Sequence, residues 1–179
     1  PGGQALSGLA SIDISKAHPG LSCANIIGAT DVTNTLCGDR GASAIFGPQK
    51  GASPSMIREL DEALATFASV VECDLGTTVI DVPGSGAAGG LGAGLIAFAN
   101  AELQSGIDMV CDVLQFDEHL VGASLILTGE GRADESTIYD KAPVGVARRA
   151  SKFGVPTVIM AGSVGEGYQK LYDLSLIHI

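Results

Sequence analysis

Between Thr128 and Gly145 the chain reads TGEGRADESTIYDKAPVG, with acids, an arginine, hydroxyls and a lysine crowded between two apolar runs. Glu130, Arg132 and Asp134 recur at every second position. An arginine in such a place offers a planar fork to a carboxylate or phosphate. An acid there can hold Mg²⁺ or accept a proton. The competing reading is an internal ion pair that braces a loop. Thr137 and Lys141 come just before a helix expected to start at Pro143. A helix start attracts anions through its free N–H groups and its dipole, and Lys141 would add a formal charge.

Three further stretches carry polar or glycine-rich chemistry. In FGPQKGA, Phe46 to Ala52, two glycines flank Lys50 directly before a helix, which resembles phosphate-loop logic without matching GxxxxGK[ST]. PGSGAAGGLGAG, Pro83 to Gly94, lets a helix or a ligand approach the backbone closely, with Gly86, Gly89 and Gly90 as candidate cofactor contacts. Asp31 follows an apolar run and precedes Thr33 and Asn34, so it is either an acid–base group or a local cap. GSGAAG fits the letters of a dinucleotide loop after TTVIDVP, a strand of sorts, but no second strand ending in a ribose-binding acid follows. There is no GxSxG elbow, and neither His nor Cys clusters at metal spacing.

These groups need elements to place them. A strand is expected over 24–29. Ser53 caps a helix of about five turns with Pro54 at its first position and Met56, Leu60, Leu64, Phe67 and Val71 along one face. A second helix carries Leu91, Leu95, Phe98 and Glu102 and is expected to end near Ser105–Gly106, before a short helix through Ile107, Val110, Cys111 and Leu114. SLILT, 124–128, is a strand, after which the glycines at 129 and 131 are expected to turn the chain sharply. A helix over 144–153 and a strand over 155–161 complete a βαβ order, the signature of a parallel sheet. Ligands of such sheets sit beyond the carboxyl ends of the strands, so the loop after 128 and the loop 162–165 are expected to be neighbours.

Ten basic residues stand against twenty acidic ones, a net charge of −10, which argues against a nucleic-acid partner. No apolar run is long enough to span a membrane. The four cysteines are scattered and read as reduced thiols of a cytoplasmic protein. At 179 residues, with 25 glycines, the chain has room for one ordinary domain or two small ones with many tight turns. It starts at Pro1, in mid-loop, and stops after a helix has barely begun, so it is expected to be a piece of a longer protein.

Four stretches in register resemble the glycerate kinase family: ATDVTNTLCGDRG from Ala29, FGPQKGA from Phe46, DVPGSGAAGGLGAGL from Asp81, and LTGEGRADESTIYDKAPVGVARRA from Leu127. The resemblance covers about residues 6–173. It implies a two-domain α/β fold with a Rossmann-like parallel sheet, here incomplete at both ends. Residues 1–23 would end a Rossmann-like segment, 24–105 would form a smaller α/β domain with glycine-rich loops, and 106–174 would continue the Rossmann-like part. Residues 175–179 do not resemble the family and are expected to be a non-native tail. The family usually has Pro at Thr35, Gln at Ser136 and Gly at Asp140, and an acid at 140 puts negative charge beside Lys141.

The resemblance also implies a function, with ATP and Mg²⁺ meeting D-glycerate in a cleft between domains and 2-phosphoglycerate as product. Arg132 would hold the glycerate carboxylate, and Lys50 or Lys141 would sit by the transferred phosphoryl group. Glu130 or Asp134 would hold the metal, and Asp31 or Asp134 would take the hydroxyl proton. Gly86, Gly89, Gly90, Thr137 and Lys141 would contact the nucleotide. The piece alone is expected to be inactive. Another small hydroxy-acid or sugar kinase, and a non-catalytic α/β ligand-binding domain, are the alternatives.

Overall fold

The computed structural model describes residues 2–134, 137, 142–174 and 176–178. The chain forms two compact units, Pro1–Gln104 and Ser105–Ile179.

The first unit is organised by one long helix. Ser53 ends the preceding loop and its Oγ accepts the Met56 N–H at 3.3 Å, with Pro54 in the first turn. The helix then runs Pro54–Leu75 (α2), about six turns rather than five, and stops at Gly76, whose left-handed φ of 67° no β-carbon opposes. Leu64, Phe67, Ala68 and Val71 lie on one face and bury against Leu36, Ala42, Val79 and Ala93. Met56, at the exposed first turn, is left out of that stripe. A 3-10 turn, Gly3–Gly8, belongs to this unit too, and Leu6, Leu9 and Ile12 pack against the same core.

The expected strand over 24–29 forms later, as Ile27–Thr30 (β1), and pairs with Glu102–Ser105 (β2). That pairing corrects the second helix. The helix after the glycine-rich loop, Leu91–Ala99, is α3, counting Ala42–Phe46 as α1. It closes at Asn100, which takes a left-handed φ of 46° and donates its N–H to the Leu95 carbonyl. Glu102 is therefore extended, and its N–H donates to the Ile26 carbonyl at 3.0 Å. TTVIDVP is not a strand; Val79 enters the core and the Ile80 carbonyl accepts the Leu36 N–H, so the dinucleotide reading loses the strand it requires.

In the second unit Ser105 caps Gly106–Val113 (α4), and Phe116–Leu120 (α5) follows. Ile126–Ala133 (β3), Ala142–Lys152 (α6) and Thr157–Val164 (β4) form the expected βαβ order. β3 and β4 pair in parallel from Ile126↔Thr157 to Ala133↔Val164. Leu176–His178 (β5), in the stretch expected to be a tail, pairs in parallel with β4, giving the order β3-β4-β5. Val144 and Ala147 of α6 pack on Ala133 and Ile159 of the sheet. Leu120, Ala150 and Val155 form a second small core.

The sharp turn expected at Gly129 does not occur. β3 continues through Gly129, Glu130, Gly131 and Arg132, and neither glycine has a positive φ. The ladder to β4 holds this stretch extended. Glycine is instead useful for close approach: a β-carbon on Gly162 would come within 2.9 Å of the Gly131 carbonyl oxygen.

Candidate active site

Extending β3 carries its polar residues to the carboxyl end of the sheet. Side chains two apart on a strand share a face. Glu130 thus stands on the face of Thr128, and of Ile159 across the ladder, whereas at the end of the strand Ala133 packs with Ile159 under α6 and Arg132 is exposed. Asp134 follows directly after the strand, and its Oδ2 lies 3.2 Å from the Arg132 Nε. The Arg132 side chain is 65% exposed and that of Asp134 24%. The pair therefore sits at a surface, with the guanidinium outermost. Ser163 of β4 stands in register with Arg132, a neighbour that sequence spacing did not single out.

The loop after β4 meets the pair. The Gly165 N–H donates to the Ala133 carbonyl at 2.8 Å, and a β-carbon there would lie 2.9 Å from Arg132 Nε, Arg132 Nη2 and the Asp134 Cβ. Arg132, Asp134 and Gly165 come together as expected, although residues 162–164 continue β4 and do not form the expected loop. Thr137, read as a nucleotide contact, is wholly buried; its Oγ1 accepts the Asp134 N–H at 3.2 Å, and its own N–H donates to the Asp134 carbonyl at 3.0 Å. Lys141, together with the Ser136 and Asp140 departures, lies outside the described residues. Among the described residues, no three His, Cys, Asp or Glu side chains are grouped to hold a metal ion. Glu130 and Asp134 each carry a carboxylate, the ligand type that Mg²⁺ takes singly or in pairs alongside waters and phosphate oxygens.

The remaining candidates lie in the first unit. Lys50 ends a 3-10 turn, Pro48–Lys50, that Gly51 closes with a φ of 84°. It lines a hollow of about 140 Å³ with Phe46, Gly47, Leu60, Leu64 and Gly89. The three candidate glycines differ in what requires them. A β-carbon on Gly86 would lie 2.1 Å from the Thr35 carbonyl oxygen, and the Gly86 N–H donates to the Asn34 carbonyl, so this glycine packs the loop. Gly90 caps α3 at a φ of 103° and is hemmed in by Leu36 and Leu64. Gly89 has open space where its side chain would be, in the hollow that Lys50 lines. Asp31 is exposed just beyond β1, while Asn34 holds the loop by donating its side-chain N–H to the Arg40 carbonyl at 2.8 Å.

One charged cluster was not anticipated. Arg149 of α6 is buried and pairs with Asp108 at 3.0 Å, Asp112 at 2.7 Å and Asp117 at 3.3 Å. Burial pulls the Arg149 pKa down, but the hydrogen bonds to the three aspartates more than offset it and the net shift is upward. For Asp108, burial pushes the carboxyl up, and the hydrogen bond and charge of Arg149 together with the charge of Arg148 bring it below the ordinary 3.8. This network ties α4, α5 and α6 together and stands apart from the Arg132 pair in sequence and partners.

Comparison with known proteins points one way. The glycerate kinase family model matches residues 1–179. The chain is 49% identical to the glycerate 2-kinase of Escherichia coli (strain K12) over 177 residues, covering 99% of this chain and 45% of that protein. It is 48% identical to a glycerate kinase of Halalkalibacterium halodurans over 172 residues, covering 96% of this chain and 45% of that protein. A crystal structure from Salmonella typhimurium LT2, assigned as glycerate kinase 2, superposes with a TM-score of 0.72 at 45% identity, over 97% of this chain and 50% of that one. The chain thus spans about half the length of the curated relatives it matches. With a parallel β3-α6-β4 unit, an acid-and-arginine end to its first strand, and a match along its whole length, the chain belongs to the glycerate kinase family.

Proposed function

We propose that the full-length protein is an ATP-dependent kinase that phosphorylates D-glycerate. The observation that carries this reading is the Arg132–Asp134 pair at the carboxyl end of the parallel sheet, in a chain so similar to named glycerate kinases. An exposed guanidinium at that end of a sheet suits a small carboxylate, which it would grip with two parallel N–H donors. Asp134 beside it would take the proton of the attacking hydroxyl. That hydroxyl oxygen forms a bond to the γ-phosphorus as the bond to the β-phosphate oxygen breaks and ADP leaves. Mg²⁺, held by Glu130 or Asp134, would supply charge neutralisation on the phosphates. Lys141 would add positive charge there. Gly86, Gly89 and Gly90 are proposed to form the glycine-rich wall of the nucleotide site, with Gly89 the most open of them. Transfer to the 2-hydroxyl, giving 2-phosphoglycerate, is supported by the name of the Escherichia coli relative. We place the enzyme in the cytoplasm, and the acidic composition favours one without a nucleic-acid partner.

The test is an assay of the full-length protein with ATP, Mg²⁺ and a panel of small hydroxy acids and sugars, with phosphorus NMR to identify the product. Arg132→Ala is expected to lower kcat/KM for glycerate about 10- to 150-fold, since hydrogen bonds to charged groups contribute about 1.5–3 kcal/mol. Activity on a sugar but not on glycerate would reject the substrate. ATP binding without transfer to any acceptor would favour a binding domain. The described chain by itself is expected to be inactive, because donor, metal and acceptor must be positioned together.

A further inference from the structure

We propose that Thr137 and Gly165 are positioning residues: they hold the Arg132–Asp134 pair in the pose that receives the acid substrate, and neither touches the substrate itself. This rests on the reading that Arg132 binds glycerate. An ion pair whose guanidinium is 65% exposed holds itself only weakly. A long arginine side chain in that position has rotamer freedom to lose. A substrate fork needs a fixed direction, so neighbouring groups must restrict it.

Two independent features do so. The first acts on the backbone. Thr137 and Asp134 exchange hydrogen bonds, Oγ1 accepting from the Asp134 N–H and the Thr137 N–H donating to the Asp134 carbonyl. Both bonds tie Thr137 to Asp134, the residue that directly follows β3, and Thr137 is 0% exposed. A hydroxyl so placed fixes where the Asp134 carboxylate begins and is shut off from a ligand.

The second acts on the side chains. Gly165 extends the β3–β4 ladder by one bond, to the Ala133 carbonyl. Its φ is not in the left-handed region, unlike that of Gly167 at 77°, so its backbone does not require glycine. The space does. The place of its missing side chain is occupied by Arg132 Nε, Arg132 Nη2 and the Asp134 Cβ, all at 2.9 Å from an ideal β-carbon. The pair lies across the bare Cα of Gly165, and a single methyl group would push both partners outward.

The experiment uses the full-length protein and compares Gly165→Ala, Thr137→Val and Thr137→Ser, each alone and combined with Arg132→Ala. Gly165→Ala and Thr137→Val are expected to raise the glycerate KM at least about tenfold, as a misplaced binding group does, with the ATP KM unchanged. Thr137→Ser keeps the acceptor oxygen and is expected to stay within about threefold of wild type, since the hydrogen bond survives. In the Arg132→Ala background neither Gly165→Ala nor Thr137→Val should raise the glycerate KM further, because residues acting through one group are not additive. Additive losses in that background would mean a general structural role and overturn the proposal. So would a wild-type KM in both single variants while Arg132→Ala is impaired; that result would leave the Arg132 reading standing. A wild-type KM in Arg132→Ala would overturn both. If Gly165→Ala fails to fold, the Val and Ser variants at 137 decide the question by the same criteria.

Discussion

Replacing Arg149 by Met keeps most of the buried aliphatic stem and removes the charge that three aspartates share. The carboxylates of Asp108, Asp112 and Asp117 are between a third and two-thirds exposed, so the cost of a fully buried broken pair does not apply to them. Each is better treated as a partly exposed pair, worth about 0.5–1 kcal/mol. The bond from Nη2 to the Asp108 carbonyl, at 3.1 Å, adds about 1 kcal/mol. Together these predict that α6 opens more easily by about 2.5–4 kcal/mol, the sum of those contributions. Native-state hydrogen exchange on the full-length protein, corrected for intrinsic rates, should show amides of α4 and α6 exchanging about 60- to 700-fold faster. The pH dependence supplies a sign. The Asp108 carboxyl is held below 3.8 in the folded protein, so its contribution is present above that value and is lost as pH falls through the folded pKa. Arg149→Met keeps the part of this contribution that Arg148 supplies and loses the part that Arg149 supplies, so the gap between the two proteins should narrow as pH falls below 3.8. Acceleration of less than about fivefold at pH 7, equivalent to an ordinary surface pair, would refute the network as an anchor of α6. So would a gap between the proteins that persists unchanged at pH 3.

Two further outcomes can be checked with less effort. Ser53→Ala should cost about 1 kcal/mol and fray the first turn of α2 by circular dichroism and hydrogen exchange, while Ser53→Asp, which keeps an acceptor for the Met56 N–H, should not. Alkylation at pH 8 followed by mass spectrometry should label exposed Cys23 and Cys73 first and buried Cys111 late; Cys37 should also be late, its thiol pushed up to about 11 by burial and by the charges of Asp61 and Asp81. Equal labelling of all four would contradict both the burial and the charge argument.

The parts of the fold that sequence pattern anticipated are those whose signals are local. α2 is announced by a cap, a proline and an apolar stripe within its own span. The β3-α6-β4 order is announced by two apolar runs and by Pro143 and Gly154 around the helix. Where a residue's state depends on a distant partner, the pattern misleads. Glu102 continues the spacing of Leu91, Leu95 and Phe98, yet it is extended because the Ile26 carbonyl, far upstream and just before β1, accepts its N–H. Asn100 was the available stop signal, since asparagine tolerates the left-handed conformation that ends a helix. The run from Gly129 to Arg132 has the composition of a loop, and only its ladder to β4 makes it a strand.

The same distinction governs the candidate site. Its residue types were legible, because arginine and carboxylates between a strand and a helix have few purposes. What each residue does was less so. Thr137 reads as a ligand contact in a polar loop, but in the fold it is buried and its hydroxyl accepts the Asp134 amide. Glycine is the hardest letter to interpret, since a left-handed backbone, a close approach and an open wall for a ligand all select it. Gly86 has an ordinary backbone and is required by the Thr35 carbonyl; Gly165 has one too and is required by Arg132 and Asp134. Gly90 is needed for its φ and for the room it leaves to Leu36 and Leu64. Gly89 is left-handed as well, at 74°, but nothing fills the place of its side chain. Of the glycines proposed for the nucleotide, it alone combines an unfilled side-chain position with the hollow that Lys50 lines, and the phosphate role is therefore best argued there.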